Sequence, residues 1–174
     1  MASQKFIFRT QLTDVSYQDL EGVGQLRYED DKVYRWVKNP VTNYTPAAGD
    51  LICHVIANTT TAFQNLSKPL TANLMCLGGV VMAPMDANTG TNPKVYGWIQ
   101  VLGMSSTCKI LPTNTVTTAG PAAGATIKAV DANVYGTLDQ AAGTAPIYTR
   151  TILNLAAVAA GTEAVASPVY IKCL

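Results

Sequence analysis

Chemistry in this chain would have to start from its one histidine. His54 stands beside Cys53 in the run Leu51-Ile-Cys-His-Val-Ile56, and a thiol next to an imidazole is the raw material of a nucleophile and base. The run is short, apolar and bounded by turn residues, which makes it a buried strand. Successive strand side chains point to opposite faces, so the two groups face apart. His54 therefore reads as a buried, hydrogen-bonded or interface residue. The carboxylates of Glu29-Asp30-Asp31 crowd together on a hairpin tip, whereas a general acid and base need a cleft and unlike surroundings. Gly22-Val-Gly24 lacks the third glycine and the helix of a dinucleotide cradle, and no Gly-x-x-x-x-Gly-Lys-Ser/Thr loop occurs. Met104-Ser-Ser106 follows a glycine without completing a Gly-x-Ser-x-Gly elbow. The loop from Asp86 to Gly90 has one carboxylate where a calcium loop needs several. These residue types predict a protein that is not an enzyme and that holds no metal or cofactor.

Cys53, Cys76, Cys108 and Cys173 lie 23, 32 and 65 residues apart. No pair has the Cys-x-x-Cys spacing of a zinc or redox site. Four cysteines formally allow three disulfide pairings. The first ten residues, however, lack the apolar h-region of a secretory signal peptide. The expectation is a chain made without an export signal, with free, buried thiols packed as small apolar groups. The longest nearly apolar run, Leu74 to Met85, has 12 residues including Gly78, Gly79 and Pro84, too short to span a bilayer. No membrane contact is expected.

Something must position these residues, and composition bounds what it is. The 174 residues are 48% hydrophobic and 13% charged, with a formal net charge of +1. That rules out general disorder. Twelve basic against eleven acidic residues also leave no surplus to neutralise phosphates, so no direct nucleic-acid partner is expected. The charges are unevenly placed. Residues 1–38 hold Lys5, Arg9, Arg27, Lys32, Arg35 and Lys38 against Asp14, Asp19, Glu21, Glu29, Asp30 and Asp31. The body that follows is only about 8% charged, against a usual share of about 25%. Two readings fit this bland body: a Thr-rich β surface, or a surface largely covered by other protein.

Along the chain, residues 1–23 form an N-terminal arm in which short apolar pieces alternate with charges, and 24–174 form a single β-rich domain. Gln25 to Lys38 reads as a β-hairpin with Asp30-Asp31 at its turn. Its interleaved charges suggest cross-strand ion pairs, worth a fraction of a kcal/mol each. Further strands are expected at Leu51–Ile56, Leu74–Met82, Val95–Leu102, Thr107–Leu111, Ala125–Val130, Tyr135–Leu138, Ile147–Leu155 and Pro168–Leu174. Gly78-Gly79 marks a bulge or a close backbone approach. Pro84 to Pro93 is a loop. Ala156 to Ala160 has the best helix propensity, limited by Gly161 to one or two turns. The fold class is all-β, a compact β-barrel or β-sandwich with an extended N-terminal arm and at most one or two short helices.

Two sets of motifs carry a resemblance. They are the segment from Gly24 to Asn39, followed by Ala48-Gly-Asp50, and Tyr96-Gly-Trp-Ile-Gln-Val-Leu-Gly103 with Thr/Ala/Gly-rich strands and Ala-Gly turns after it. Together they resemble the head decoration, or cement, proteins of tailed bacteriophages over roughly residues 22–174. The resemblance implies a structural protein of the virion, placed on the capsid exterior as a homotrimer, whose partners are the major capsid protein and copies of itself. Arm and hairpin residues are then the candidates for capsid contact: Phe6, Phe8, Arg9 and Tyr17 from the arm, and Arg27, Arg35 and Trp36 from the hairpin. An arm of this kind grips by adding a strand to an exposed sheet edge.

Two rival functions remain open at the sequence level. A receptor- or glycan-binding β-module of a tail fibre or other adhesin would need Trp36 or Trp98 exposed above a polar groove, whereas their ordinary role is core packing with the indole N–H hydrogen-bonded. A small hydrolase would lose its activity on replacement of His54.

Overall fold

The computed structural model describes residues 7–54, 65–67, 77–110, 126–130, 134–138, 151–156 and 165–173. The fold is all-β, and no helix occurs among the described residues. The strands are β1 (Val15–Ser16), β2 (Leu26–Glu29), β3 (Lys32–Lys38), β4 (Leu51–His54), β5 (Leu66–Ser67), β6 (Leu77–Val81), β7 (Tyr96–Ile110), β8 (Thr126–Val130), β9 (Val134–Leu138), β10 (Thr151–Asn154) and β11 (Val165–Lys172). They make one antiparallel sheet in the order β5-β4-β6-β7-β11-β10-β8-β9, with β1 and β3 also paired to β7 and β2 paired to β3. A parallel bridge from Lys38 to Asn65 links the end of β3 to the residue before β5. Of the expected helical stretch, residues 157–160 lie outside the described residues.

The hairpin forms where the strand-favouring residues of β2 and β3 meet. Leu26 stands opposite Arg35 and Glu29 opposite Lys32, leaving Asp30 and Asp31 as a two-residue turn. Asp30 takes a φ of 51°, a left-handed conformation that Asp tolerates better than most residues. The ion pair here departs from the expected cross-strand arrangement, because Arg27 pairs with Glu29 on its own strand.

β7 organises the molecule. Val95–Leu102 and Thr107–Leu111 read as two strands, yet Tyr96–Ile110 is continuous. The reason is Gly103, which has a φ of +95° and whose missing Cβ would lie 2.6 Å from Asp31 O. The strand turns there and runs on, pairing first with β3 and then with β11. The expectation at Gly78-Gly79 holds. The β4–β6 register shifts between Ile52 and Cys53, and a Cβ on Gly79 would fall 2.3 Å from Gln100 O. β11 begins before Pro168, which sits at the register break between Ser167 and Val169, a place where its missing N–H costs no ladder bond.

Because β3 and β7 alternate, they bury residues on both faces. One face packs Val33, Val37, Ile99 and Val101 into the main core with Leu51, Ile52, Val80, Val81, Val169 and Ile171. Each such side chain stabilises the fold by roughly 1.5–3 kcal/mol relative to leaving it in water. The other face carries Tyr34, Trp36 and Trp98, joined by half-buried Tyr96, and forms a second, smaller core. Asn39 closes the end of β3. It donates through Nδ2 to Tyr44 O and Asp86 O, both at 2.8 Å, and accepts from the Val41 N–H through Oδ1. This ties the 84–93 loop to the sheet.

The arm and hairpin face as the candidate functional site

The second core has a lid, and the lid is the arm. Trp36 and Trp98 are cross-strand neighbours, stacked edge-on with ring centroids 5.2 Å apart. Phe8 meets Trp98 in the same way at 5.5 Å, and Leu12 and Val23 pack beside it. The Arg27 guanidinium lies over Phe8 and Trp98, 5.1 and 5.8 Å from their centroids, and donates to Thr10 O. β1 adds a two-residue ladder in which Val15 faces Gly97 and Ser16 faces Tyr96.

Polar groups of the arm satisfy both buried indoles. Trp98 Nε1–H donates to Thr10 Oγ1 at 2.8 Å, and the Thr10 hydroxyl donates onward to Glu21 Oε1 at 2.7 Å. Glu21 Oε1 also accepts the backbone N–H groups of Arg9 and Thr10. Trp36 Nε1–H donates to Asp19 Oδ1 at 2.9 Å, and Asp19 accepts the N–H groups of Gly22 and Val23. The arm carboxylates thus fold the arm and, through Asp19 and Thr10, fasten it.

The sequence-predicted contact residues now separate. Phe8, Arg27 and Trp36 are brought together, but on the chain's own sheet, and Trp36 is wholly buried. Arg9 is exposed and Tyr17 is 52% exposed, on the outside of the arm. Arg35 is half-buried and turned toward His54. Phe6 lies outside the described residues. The resemblance implies an arm that adds a strand to another sheet; here residues 7–23 pack on the outer face of β3 and β7 of the chain's own sheet. The physical reason is that two indoles and their N–H groups would otherwise face water. With Trp36 and Trp98 0% and 1% exposed, neither ring offers a face to a sugar. Sequence reasoning missed Thr10, Asp19 and Glu21. Their only signal was polarity within an aromatic-bearing arm.

Elsewhere among the described residues, the histidine and the cysteines are enclosed. His54 is buried, with Nε2 3.3 Å from Arg35 Nη1 and Nδ1 3.4 Å from Asn65 O. Arginine only donates, so Nε2 accepts and Nδ1 carries the proton toward the carbonyl. Cys53, Cys108 and Cys173 are buried thiols, and Cys76 lies outside the described residues. Burial, then proximity to Cys173 and Asp50, pushes the Cys108 thiol up to about 12. That leaves about one thiolate in 10⁴ at pH 8, and the thiolate is the reactive form. A disulfide reagent at pH 8 is therefore expected to label Cys108 only as fast as the chain unfolds. Peptide mapping that found Cys108 labelled within seconds in the native protein would contradict this. Among the described residues, no three His, Cys, Asp or Glu side chains group as they would around a metal, and no helix is long and apolar enough to cross a membrane.

Among the described residues, Asp50, ahead of β4, is a buried carboxylate. Its Oδ2 accepts the Ala47 N–H at 2.9 Å and its Oδ1 lies 3.1 Å from Lys109 Nζ. Lys109 N–H donates to Gly49 O at 2.8 Å, so the far end of β7 returns against the start of β4. Burial raises the Asp50 pKa above 3.8 despite the Ala47 and Lys109 bonds. The folded state then binds the proton more readily than the unfolded state. Stability attributable to Asp50 falls as pH rises from about 3.8 through the raised folded value, and is regained on acidification. Acidifying from pH 7 to pH 4 should favour the wild type relative to Asp50→Asn in paired melting curves. A difference that does not change with pH would contradict it. Asp50→Ala should cost about 1–3 kcal/mol at either pH, because the Ala47 N–H loses its acceptor.

Comparison with known proteins returns no relative: no family model matches the chain, and no curated protein or solved structure does.

Proposed function

We propose that this chain is a non-enzymatic structural protein of a phage virion, a decoration protein that binds the outside of the head as a homotrimer and stabilises it. The observation that carries the proposal is the two-sidedness of the arm. Its inner side, Phe8, Leu12 and Val23, is used on the chain's own sheet. Its outer side presents Ile7, 87% exposed, with Tyr17, Leu20 and Arg9. A fastened ridge of exposed apolar and charged groups suits docking on another protein, because little chain entropy is left to lose on binding. The sparsely charged body suits close contact with further protein. A decoration protein acts by interface alone, opposing the outward pressure of packaged DNA. Stable interfaces bury on the order of 1,200–2,000 Å², and a threefold ring closes over a threefold or quasi-threefold point.

Co-sedimentation with purified phage heads tests this. The wild type should pellet with heads, and a paired Ile7→Asp, Tyr17→Asp variant should bind at least tenfold more weakly with an unchanged melting temperature. A strictly monomeric chain that never associates with particles overturns the proposal.

A further inference from the structure

β2 is an open edge of the sheet. It pairs with β3 alone, so its other side has no neighbouring strand among the described residues. The pair beside a two-residue turn exchanges both of its backbone bonds, and bonded pairs then alternate with unbonded ones. Glu29–Lys32 and Arg27–Tyr34 are therefore the bonded pairs of the hairpin, whereas at Tyr28–Val33 and Leu26–Arg35 the backbone groups point away from the partner strand. On β3 that outward side is covered, since Val33 and Arg35 stand opposite Leu102 and Ile99 of β7. On β2 it is not. Leu26 O accepts Gln25 Nε2, but the Leu26 N–H and both backbone groups of Tyr28 have no partner among the described residues. Tyr28 is also 69% exposed. An unpaired edge of this kind is a template for one more strand.

The charges beside Tyr28 select that strand. Arg27 and Glu29 flank it on the arm side, bonded to each other, while Leu26, on the opposite side, packs on the main core. We propose that β2 pairs antiparallel with β2 of a second copy, across a twofold axis at Tyr28. Antiparallel pairing sets outward-pointing residues opposite each other, which limits the registers available to Leu26 and Tyr28. Centred on Tyr28, the pairing puts Arg27 of each copy opposite Glu29 of the other, and opposite charges meet twice. Shifted to set Tyr28 opposite Leu26, it puts Arg27 against Arg27, and like charges directly opposite are destabilising. Centred on Leu26, it needs the carbonyl that Gln25 already occupies. The favoured register gives both backbone groups of Tyr28 their missing partners and surrounds them with two arginines and two glutamates. Such a twofold contact uses the same patch on both copies. It goes beyond the proposed function, because it joins one threefold ring to its neighbour and does not build the ring.

Disulfide trapping tests it. Bonded antiparallel partners have Cα atoms about 5.5 Å apart, within reach of a disulfide, so Tyr28→Cys sets two thiols across the axis. Under mild oxidation it should form a covalent dimer roughly tenfold faster than Tyr17→Cys at the same concentration, because pairing raises the local thiol concentration. Tyr17, 52% exposed on the arm, gives the rate for random collision, and the wild type gives the background from the native thiols. Adding Glu29→Lys to Tyr28→Cys sets a cation against Arg27 and should remove the advantage, with tryptophan emission unchanged as a check on folding. Tyr28→Cys crosslinking no faster than Tyr17→Cys, or an advantage that survives Glu29→Lys, overturns the twofold pairing. Crosslinking of Tyr28→Cys to capsid protein instead of to itself, on phage heads, overturns it as well. Co-sedimentation of the wild type decides the decorating role separately.

Discussion

Trp98→Ala lowers the unfolding free energy by about 3–5 kcal/mol, the usual cost of emptying a large aromatic site in a core. The loss exceeds one side chain's burial, because Trp98 is the common neighbour of Trp36, Phe8 and Arg27. Without it the arm loses its seat. Thr10→Val separates the fastening from the packing. It keeps the shape of the side chain, but leaves the Trp98 N–H without its acceptor and removes a bond to Glu21. Its cost should be about 1–3 kcal/mol. Urea denaturation followed by tryptophan emission measures both. Changes below 1 kcal/mol in both variants would mean that the arm does not hold the second core closed.

The second large effect belongs to a glycine. Gly79→Ala would place a Cβ 2.3 Å from Gln100 O, at a φ of +142°. No side-chain rotation relieves that contact, because the obstructing atom is backbone of the central strand. The β6–β7 pairing of Val80 with Gln100 and Val81 with Ile99 must open, at a cost of roughly 3–5 kcal/mol. Soluble yield and melting temperature should both fall sharply. Gly90→Ala is the control, since nothing lies within 4 Å of its would-be Cβ. It should lose much less, only the strain of its positive φ. A Gly79→Ala protein as stable as that control would contradict the close approach.

What the sequence made legible was local. The hairpin followed from strand-favouring residues flanking two turn-forming aspartates, and the close approach from two adjacent glycines inside an apolar run. The ordinary role of Trp36 and Trp98, core packing with the indole N–H hydrogen-bonded, is the one they take. What escaped was long-range. Trp98 finds its hydrogen-bond partner 88 residues away, and no spacing rule joins a tryptophan to a threonine at that distance. Gly103 looked like the end of a strand because its left-handed conformation is set by the hairpin tip packed against it. How the arm packs was not legible, because its charges name no partner, while Asp19 and Glu21 turn inward to backbone and side-chain donors. The candidate contact set was therefore legible as a region. Which of its residues face outward depends on a packing that no local pattern encodes.

The central claim, that this chain decorates a capsid, is tested most directly by imaging a phage particle that carries it, at a resolution that shows strands. The sheet should appear outside the head shell, in threefold groups, with the outer side of the arm against the capsid protein. Density for the chain in the tail, or inside the shell, would contradict it.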